Sequence, residues 1–301
     1  MARFSLLLVL GASAAINGYT CAAGEAYNEK EECDRSDAGL PGAQLGLLQA
    51  LAALGRPMVL VLQSGGALEV DWAADSPAVP AILHAPFLGV YAGQAIADAM
   101  LGVFSPAGRV AATWYTRAGL QVIGGQQEYR MRPDARDGYP GRTHLWVPPT
   151  PALVRYPFGF GMSYSSGFVY TVQGSGSGAP TAPIRPCDTL NLTITLTNTG
   201  GVESDEVVQA YAALPDASFP APRRTLVDFH RVRVPAGGAV NVSIAVTPRA
   251  RSVLREGDLT RVTEPGRVQL WIGGCSDEAR LPGIAVEVLV TGTAVVVDQC
   301  T

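Results

Sequence analysis

The chain has 301 residues, of which 48% are hydrophobic and 16% charged, and its formal net charge is -4 at pH 7. This composition excludes a disordered or fibrous protein, and the length allows two packed domains. Nucleic acid is not an expected partner, because the chain is weakly acidic and has no stretch dense in lysine and arginine. The longest apolar run, Phe4 to Ile16, is shorter than the roughly 18 to 20 residues that span a bilayer, so no membrane association is expected.

The N-terminal apolar run has two interpretations. Met1 and Arg3 precede it and the small residues Ala12 to Ala15 follow it, which is the layout of a secretory signal peptide. The same run contains LLLVLG, which has the composition of a buried strand.

Residues 1–165 alternate short apolar runs with segments of helical composition. In chain order these are LLLVLG, AQLGLLQALAALG, PMVLVLQSGG, AILHA and AGQAIADAMLG. Such alternation predicts an α/β architecture with a largely parallel sheet. The first helical segment is expected to end at Gly55 and Pro57.

An acidic stretch, GEAYNEKEECDR from Gly24 to Arg35, follows the first apolar run. Ligands of open α/β sheets bind beyond the carboxyl ends of the strands, so a loop after LLLVLG is a natural site. Clustered carboxylates raise one another's pKa, and a carboxylic acid that stays protonated can donate a proton to a glycosidic oxygen. Composition alone nevertheless favours a solvated surface loop here.

The second half of the chain changes from helical to strand periodicity. A Gly/Ser/Pro-rich stretch predicts a linker over residues 166–186. Beyond it, apolar and polar residues alternate from Leu190 to Thr197 and again from Val240 to Val246. Together with further short apolar runs, this pattern predicts a seven-stranded β-sandwich over residues 187–292 and a tail over residues 293–301.

The five cysteines lack the spacing of a zinc site, and no metal or organic cofactor is expected. Cys21 and Cys33 flank the acidic stretch and are read either as a disulfide or as two separate thiols. The sequons Asn191-Leu192-Thr193 and Asn241-Val242-Ser243 are N-glycosylation acceptors in a secreted chain, and both asparagines fall on the outward phase of their strands.

Five segments in one order resemble family 3 glycoside hydrolases of the β-xylosidase and α-arabinofuranosidase type. They are DRSDAGLPGAQ, QSGGALEV, IADAMLGVFSPAGRVAATWY, YRMRPDARDGYPGRTHLW and YPFGFGMSY. The resemblance implies an α/β sandwich domain over residues 1–165 and a fibronectin type III-like, immunoglobulin-like sandwich over residues 187–292. It also favours LLLVLG as a strand of the sheet over a signal peptide.

The resemblance implies that the chain takes part in hydrolysis of O-glycosyl bonds during xylan breakdown, with xylo- or arabino-oligosaccharides as substrate. Such enzymes begin with a (β/α)₈ barrel that carries the nucleophilic aspartate and most sugar contacts, and nothing in this chain resembles it. The chain therefore resembles the C-terminal portion of such an enzyme, and we expect it to be inactive alone or to pair with a separate barrel domain or chain.

The resemblance also implies a general acid/base glutamate in the acidic stretch. Glu25, which follows Gly24, is the first choice, Glu31 the second and Glu29 the third; the last two lie ahead of Asp34 and Arg35 as in xylosidase-like members.

One alternative is a non-catalytic carbohydrate-associated or scaffolding protein that has lost the barrel. Another is a fragment of an ordinary enzyme whose gene model is truncated at its front. The usual location of the enzymes that the chain resembles, together with the sequons, implies an extracellular location.

Overall fold

The structure is a computed structural model that describes the backbone of residues 6–12 and all atoms of residues 37–86, 88–125, 128–165, 167–173 and 182–300. It divides into two compact units. The first comprises Met1–Leu101, Trp114–Tyr129 and Thr150–Arg155, and the second comprises Gly102–Thr113, Arg130–Pro149 and Tyr156–Thr301. Each unit therefore collects segments that are separated along the chain.

The first unit is built on a parallel sheet of three strands. These are β1 (Leu6–Ala12), β2 (Met58–Ser64) and β3 (Ala81–His84), in the order β1-β2-β3. Residues Met58 to Leu62 are all buried, as expected of a central strand that is covered on both faces. The described strands β4 (Trp114–Tyr115) and β5 (Val154–Tyr156) form a separate two-stranded sheet.

Four α-helices lie in the described part of the first unit: α1 (Gln44–Ala52), α2 (Asp71–Asp75), α3 (Ala92–Leu101) and α4 (Arg117–Val122). Helix α1 ends before Gly55, which has a φ of 69°, a value that glycine adopts without steric cost. Helix α3 covers one face of the sheet, where its Ile96 and Met100 pack against the cluster that contains Val59 and Val61. No helix in the described part of the chain is long and apolar enough to cross a membrane.

The second unit contains a β-sandwich of two antiparallel sheets. One sheet has the order β10-β7-β6 and the other β14-β13-β8-β9. The strands are β6 (Phe168–Val172), β7 (Leu190–Asn198), β8 (Ser204–Ala213), β9 (Thr225–Val234), β10 (Ala239–Val246), β13 (Gly266–Gly273) and β14 (Gly283–Val290). The intervening β11 (Val253–Leu254) and β12 (Arg261–Thr263) form a small sheet with β15 (Val295–Val296), and α5 (Thr143–Trp146) also belongs to this unit.

The sandwich core follows from the alternation of apolar and polar residues. On β7 the side chains of Leu190, Leu192, Ile194 and Leu196 are buried, and the residues between them face outward. The facing sheet contributes Val208, Ala210 and Val286, among others, to the same cluster. The two described sheets together have seven strands, which is the predicted number, but one of them, β6, precedes the predicted sandwich domain.

Two of the predicted boundaries need correction. The first residues of the predicted linker form strand β6, because Phe168, Tyr170 and Val172 bury alternate side chains in the core. The predicted tail contains β15, and a disulfide joins Cys300 to Cys187 across 113 residues of sequence. Residues 174–181, the most Gly/Ser-rich part of the linker, lie outside the described residues.

Segments that precede the linker pack on the outer face of the β14-β13-β8-β9 sheet. The side-chain amide of Gln209 on β8 donates to the carbonyl of Gly159 at 3.1 Å, and the Ser276 amide donates to the carbonyl of Phe158 at 3.0 Å. Gly159 has a φ of 80°, and a Cβ there would collide with the Gln209 side chain. The sandwich is therefore completed by residues of the YPFGFGMSY segment.

Candidate functional site

The candidate functional site lies at the carboxyl edge of the parallel sheet. Ala12, the last residue of β1, pairs with Ser64, and Leu62 pairs with His84 at the end of β3. The three strands thus end at one edge, which is where ligands bind in open α/β folds. Glu25, Glu29 and Glu31, the candidate acid/base residues, lie outside the described residues.

Ser64 and His84 meet at this edge. The His84 Nε2 atom is 3.3 Å from both the hydroxyl and the carbonyl oxygen of Ser64, and the ring makes an edge contact with Trp114. Burial lowers the pKa of His84, and the hydrogen bond with the Ser64 carbonyl opposes this in part. The Ser64 hydroxyl donates to the Gly66 carbonyl at 2.8 Å, so its proton is not directed at the ring. This geometry serves to join two strand ends and does not form an activated serine.

Arg117 holds the chain immediately after the acidic stretch. Its Nη1 donates to Asp37 Oδ2 at 3.1 Å, and its Nε and Nη2 donate to Glu69 Oε2 at 3.0 and 2.7 Å. The hydrogen bonds that Arg117 donates to Asp37 and, after it, to Glu69 raise the pKa of Arg117 further above its usual value. The Glu69 amide also donates to the carbonyl of Ala38 at 2.7 Å. Residues 37 and 38 are thereby fixed against the segment that follows β2.

A second arginine extends this set of charges. The Arg117 amide donates to Asp71 Oδ2, and Arg155 Nε donates to Asp71 Oδ1, both at 2.9 Å. Arg155 also binds both carboxylate oxygens of Asp75, at 2.7 and 3.0 Å, which lowers the pKa of Asp75. Acidic and basic groups alternate through the network, so each carboxylate has a cationic partner.

The nearest described residues on either side of the acidic stretch are both held within the first unit. Ala12 pairs with Ser64, and Asp37 forms an ion pair with Arg117. Arg117, Glu69 and Arg155 were not among the residues predicted to form a site. The sequence indicated this network only in part, because Asp37 and Glu69 lie within two of the segments that carry the family resemblance.

The histidines of the second unit have structural environments. His144 stacks on Phe158 with ring centroids 4.1 Å apart and contacts Tyr211 edge-on. Burial, and after it the positive charge of Arg223, lower the pKa of His144 to about 4. His230 Nε2 lies 3.4 Å from the Asp228 carboxylate. Within the described residues no three histidine, cysteine, aspartate or glutamate side chains are grouped as metal ligands.

Family models match both parts of the chain. Residues 7–164 match the glycosyl hydrolase family 3 C-terminal domain, and residues 206–276 match the fibronectin type III-like domain. The chain therefore belongs to glycosyl hydrolase family 3. It corresponds to a C-terminal portion of the enzymes of this family.

Similar proteins of this family include β-xylosidases and β-glucosidases. The chain is 32% identical to exo-1,4-beta-xylosidase bxlB of Emericella nidulans over 81% of its own length and 31% of that protein. It matches the structure of the exo-beta-xylosidase XlnD in complex with a xylobiose aziridine probe with a TM-score of 0.76 and 27% identity, covering 89% of this chain and 35% of XlnD. For a β-glucosidase from Listeria innocua in complex with glucose the TM-score is 0.73 at 26% identity, with 95% of this chain and 36% of that one covered. The chain spans about a third of the length of these relatives.

Proposed function

We propose that this chain supplies the general acid/base loop of a β-xylosidase-type glycoside hydrolase. The observation that supports the proposal is what the structure describes on either side of the acidic stretch. Strand β1 precedes the stretch in the sequence, and Asp37, which follows it, pairs with Arg117. Fixed residues next to such a stretch favour a carboxyl group at a defined position, which acid catalysis requires. We also infer from family membership that the sheet of the first domain is largely parallel.

Glu25 is the first choice for the acid/base, followed by Glu31 and Glu29. Five acidic side chains within twelve residues repel one another's ionised forms, which favours a protonated carboxyl group near neutral pH. In a retaining mechanism this group protonates the leaving oxygen and then removes a proton from the attacking water.

A second carboxylate attacks the anomeric carbon in this mechanism. The two carboxyl groups of a retaining enzyme lie about 5 to 5.5 Å apart. The family resemblance implies that this nucleophile comes from the barrel. No segment of these 301 residues resembles that barrel. We therefore propose that the chain acts together with a barrel and that the isolated 301 residues do not hydrolyse glycosides.

The substrate class that we propose is a xylo-oligosaccharide, with arabinofuranosides second. The five sequence segments and the relatives named as β-xylosidases support this choice. The β-glucosidase likeness makes an aryl glucoside the necessary comparison substrate.

The experiment compares Glu25→Gln, Glu31→Gln and Glu29→Gln in an enzyme that has a family 3 barrel ahead of these 301 residues. Loss of the acid should lower kcat/KM strongly for p-nitrophenyl β-xyloside and much less for a dinitrophenyl xyloside, because the better leaving group needs no proton in the first step. Azide should restore turnover of the correct variant only, since it replaces the water that the base activates. If all three variants keep the parent's rate on both substrates, the acid/base is elsewhere. Turnover by the isolated chain that Glu25→Gln abolishes would contradict the proposed external nucleophile.

We further propose that the protein is a secreted glycoprotein. The disulfide between Cys187 and Cys300 supports this, because disulfides persist in oxidising compartments. The two sequons support it as well.

A further inference from the structure

One face of the sandwich carries polar side chains and, among the described residues on its strands, no charged ones. It is the outer face of the β10-β7-β6 sheet, and we refer to it as the uncharged face. Its residues are Val169, Thr171 and Gln173 from β6 and the chain just after it, Asn191, Thr193, Thr195 and Thr197 from β7, and Ala239, Asn241, Ser243 and Ala245 from β10. Eight of these eleven side chains are amides or hydroxyls, so the face can form many hydrogen bonds and no ion pairs.

Both sequons lie on the uncharged face. In a strand, residues i and i+2 point to the same side, so each asparagine and its hydroxyl partner face outward together. The residue between them faces the core in both cases: Leu192 is 6% exposed and Val242 is 3% exposed. Asn191 and Asn241 are themselves exposed.

The side chain of Asn241 is oriented by its oxygen. Oδ1 accepts a hydrogen bond from Gln173 Nε2 at 2.9 Å and another from Thr195 Oγ1 at 3.0 Å. An N-linked sugar is attached through Nδ2, so both hydrogen bonds persist after modification. The folded strand therefore accommodates the modified amide in its present orientation.

The two asparagines are far enough apart for two sugar chains. Asn191 pairs with Ala245, and Asn241 lies four residues before Ala245 on β10, where it pairs with Thr195. At roughly 3.4 Å per residue the two positions are about 14 Å apart along the strands. Two oligosaccharides anchored there would cover the face from both ends.

We propose that Asn191 and Asn241 both carry N-linked oligosaccharides, which together cover the uncharged face. This inference rests on the secretion that is part of the proposed function. The donor is an oligosaccharide linked to a lipid diphosphate: the amide Nδ2 forms a bond to the anomeric carbon, the bond from that carbon to the diphosphate breaks, and Nδ2 loses one proton. The lipid diphosphate leaves with the bonding electron pair, and no oxidant or reductant is required.

The test is secretion of the full chain from a eukaryotic cell behind a host leader peptide, followed by digestion with peptide N-glycosidase in heavy-oxygen water. This enzyme converts each modified asparagine to labelled aspartate, which peptide mass spectrometry assigns to a position. We expect label at 191 and 241. Thr193→Ala should remove one oligosaccharide, Ser243→Ala the other, and the matched control Thr197→Ala on the same face neither.

A secreted chain with unlabelled asparagine at both positions would overturn the proposal, and label at one position only would overturn it for the other. Glycoside hydrolysis plays no part in this readout. A failed acid/base assay therefore leaves the glycosylation result intact, and unmodified asparagines leave the hydrolase proposal intact.

Discussion

Arg109 and Glu206 form a buried ion pair within the second unit. Arg109 Nη2 lies 2.7 Å from Glu206 Oε2, and the two side chains are only 9% and 5% exposed. The other carboxylate oxygen of Glu206 accepts a hydrogen bond from the Tyr170 hydroxyl at 2.8 Å. Arg109 precedes the linker and Glu206 lies on β8, so one desolvated pair links two distant parts of the sequence.

Glu206→Ala is expected to destabilise the protein by about 3 to 5 kcal/mol, because it leaves the Arg109 charge buried without its partner. Urea unfolding at pH 7 measures the change. The double variant Arg109→Met with Glu206→Leu is the control and should recover much of the lost stability, since neither charge is then buried. Equal stability of Glu206→Ala and the parent would show that the pair is not desolvated in solution.

Gly159→Ala is expected to weaken packing of the YPFGFGMSY segment on the sandwich. The residue has a φ of 80°, and the added Cβ would meet the side chains of Gln209 and Tyr211. Backbone strain alone costs about 1 to 3 kcal/mol, and the collision adds to it. The matched control is Gly201→Ala, where no atom lies within 4 Å of the added Cβ. Thermal unfolding should show a clear fall in Tm for the first variant and little change for the second.

Arg117→Gln is expected to loosen residues 37–39 with little effect on global stability. The Arg117 side chain is 55% exposed, so its ion pairs contribute at most about 1 kcal/mol. Hydrogen exchange of the Glu69 amide, which donates to Ala38, should become faster. Arg136→Gln serves as the control, because that 89% exposed residue pairs with Asp134 within its own loop. Unchanged exchange at Glu69 would mean that the backbone contacts alone hold this segment.

His144 is expected to make the protein less stable in mild acid. Its pKa is about 4 in the folded protein, against an ordinary value of 6.5, because burial and the charge of Arg223 disfavour the imidazolium. Between these two pKa values the unfolded state binds more protons than the folded state. The contribution of neutral His144 to stability is therefore fully present above about pH 6.5 and is lost as the pH falls towards 4. The loss amounts to at most about 3 kcal/mol, and less where solvent reaches the ring.

Urea unfolding of the parent and of His144→Phe between pH 4.5 and 7 isolates this effect, because the substituted ring keeps its stacking on Phe158 without a titrating group. The stability difference between the two proteins should change with pH in favour of the variant as acid is added. Parallel curves would mean that His144 titrates at its ordinary pKa.

The strands of the sandwich were predictable because alternation of apolar and polar residues depends only on local geometry. Leu190 to Leu196 on β7 and Val240 to Val246 on β10 both show it without interruption. Strand β6 was missed because Phe168 to Val172 adjoin a Gly/Ser/Pro-rich stretch, and the composition of the neighbourhood outweighed five alternating residues.

The charge pairs could not be predicted, because their partners are remote in the sequence. Asp37 and Arg117 are 80 positions apart, and Arg109 and Glu206 are 97 apart. No spacing rule joins such residues, and only the folded topology brings them together. The acid/base position remains a prediction for the same reason, since its choice among three neighbouring glutamates depends on how the loop is placed.

The packing of residues 156–161 on the sandwich also has a consequence for biosynthesis. Gln209 and Gly274 are translated long after Gly159, yet the Gln209 amide binds the carbonyls of both glycines. The YPFGFGMSY segment therefore cannot form all of its final contacts until more than a hundred further residues have emerged from the ribosome. Recombination at the linker would, for the same reason, separate Gln209 from the Gly159 carbonyl that it binds. The α/β domain and the sandwich domain are therefore expected to be inherited together.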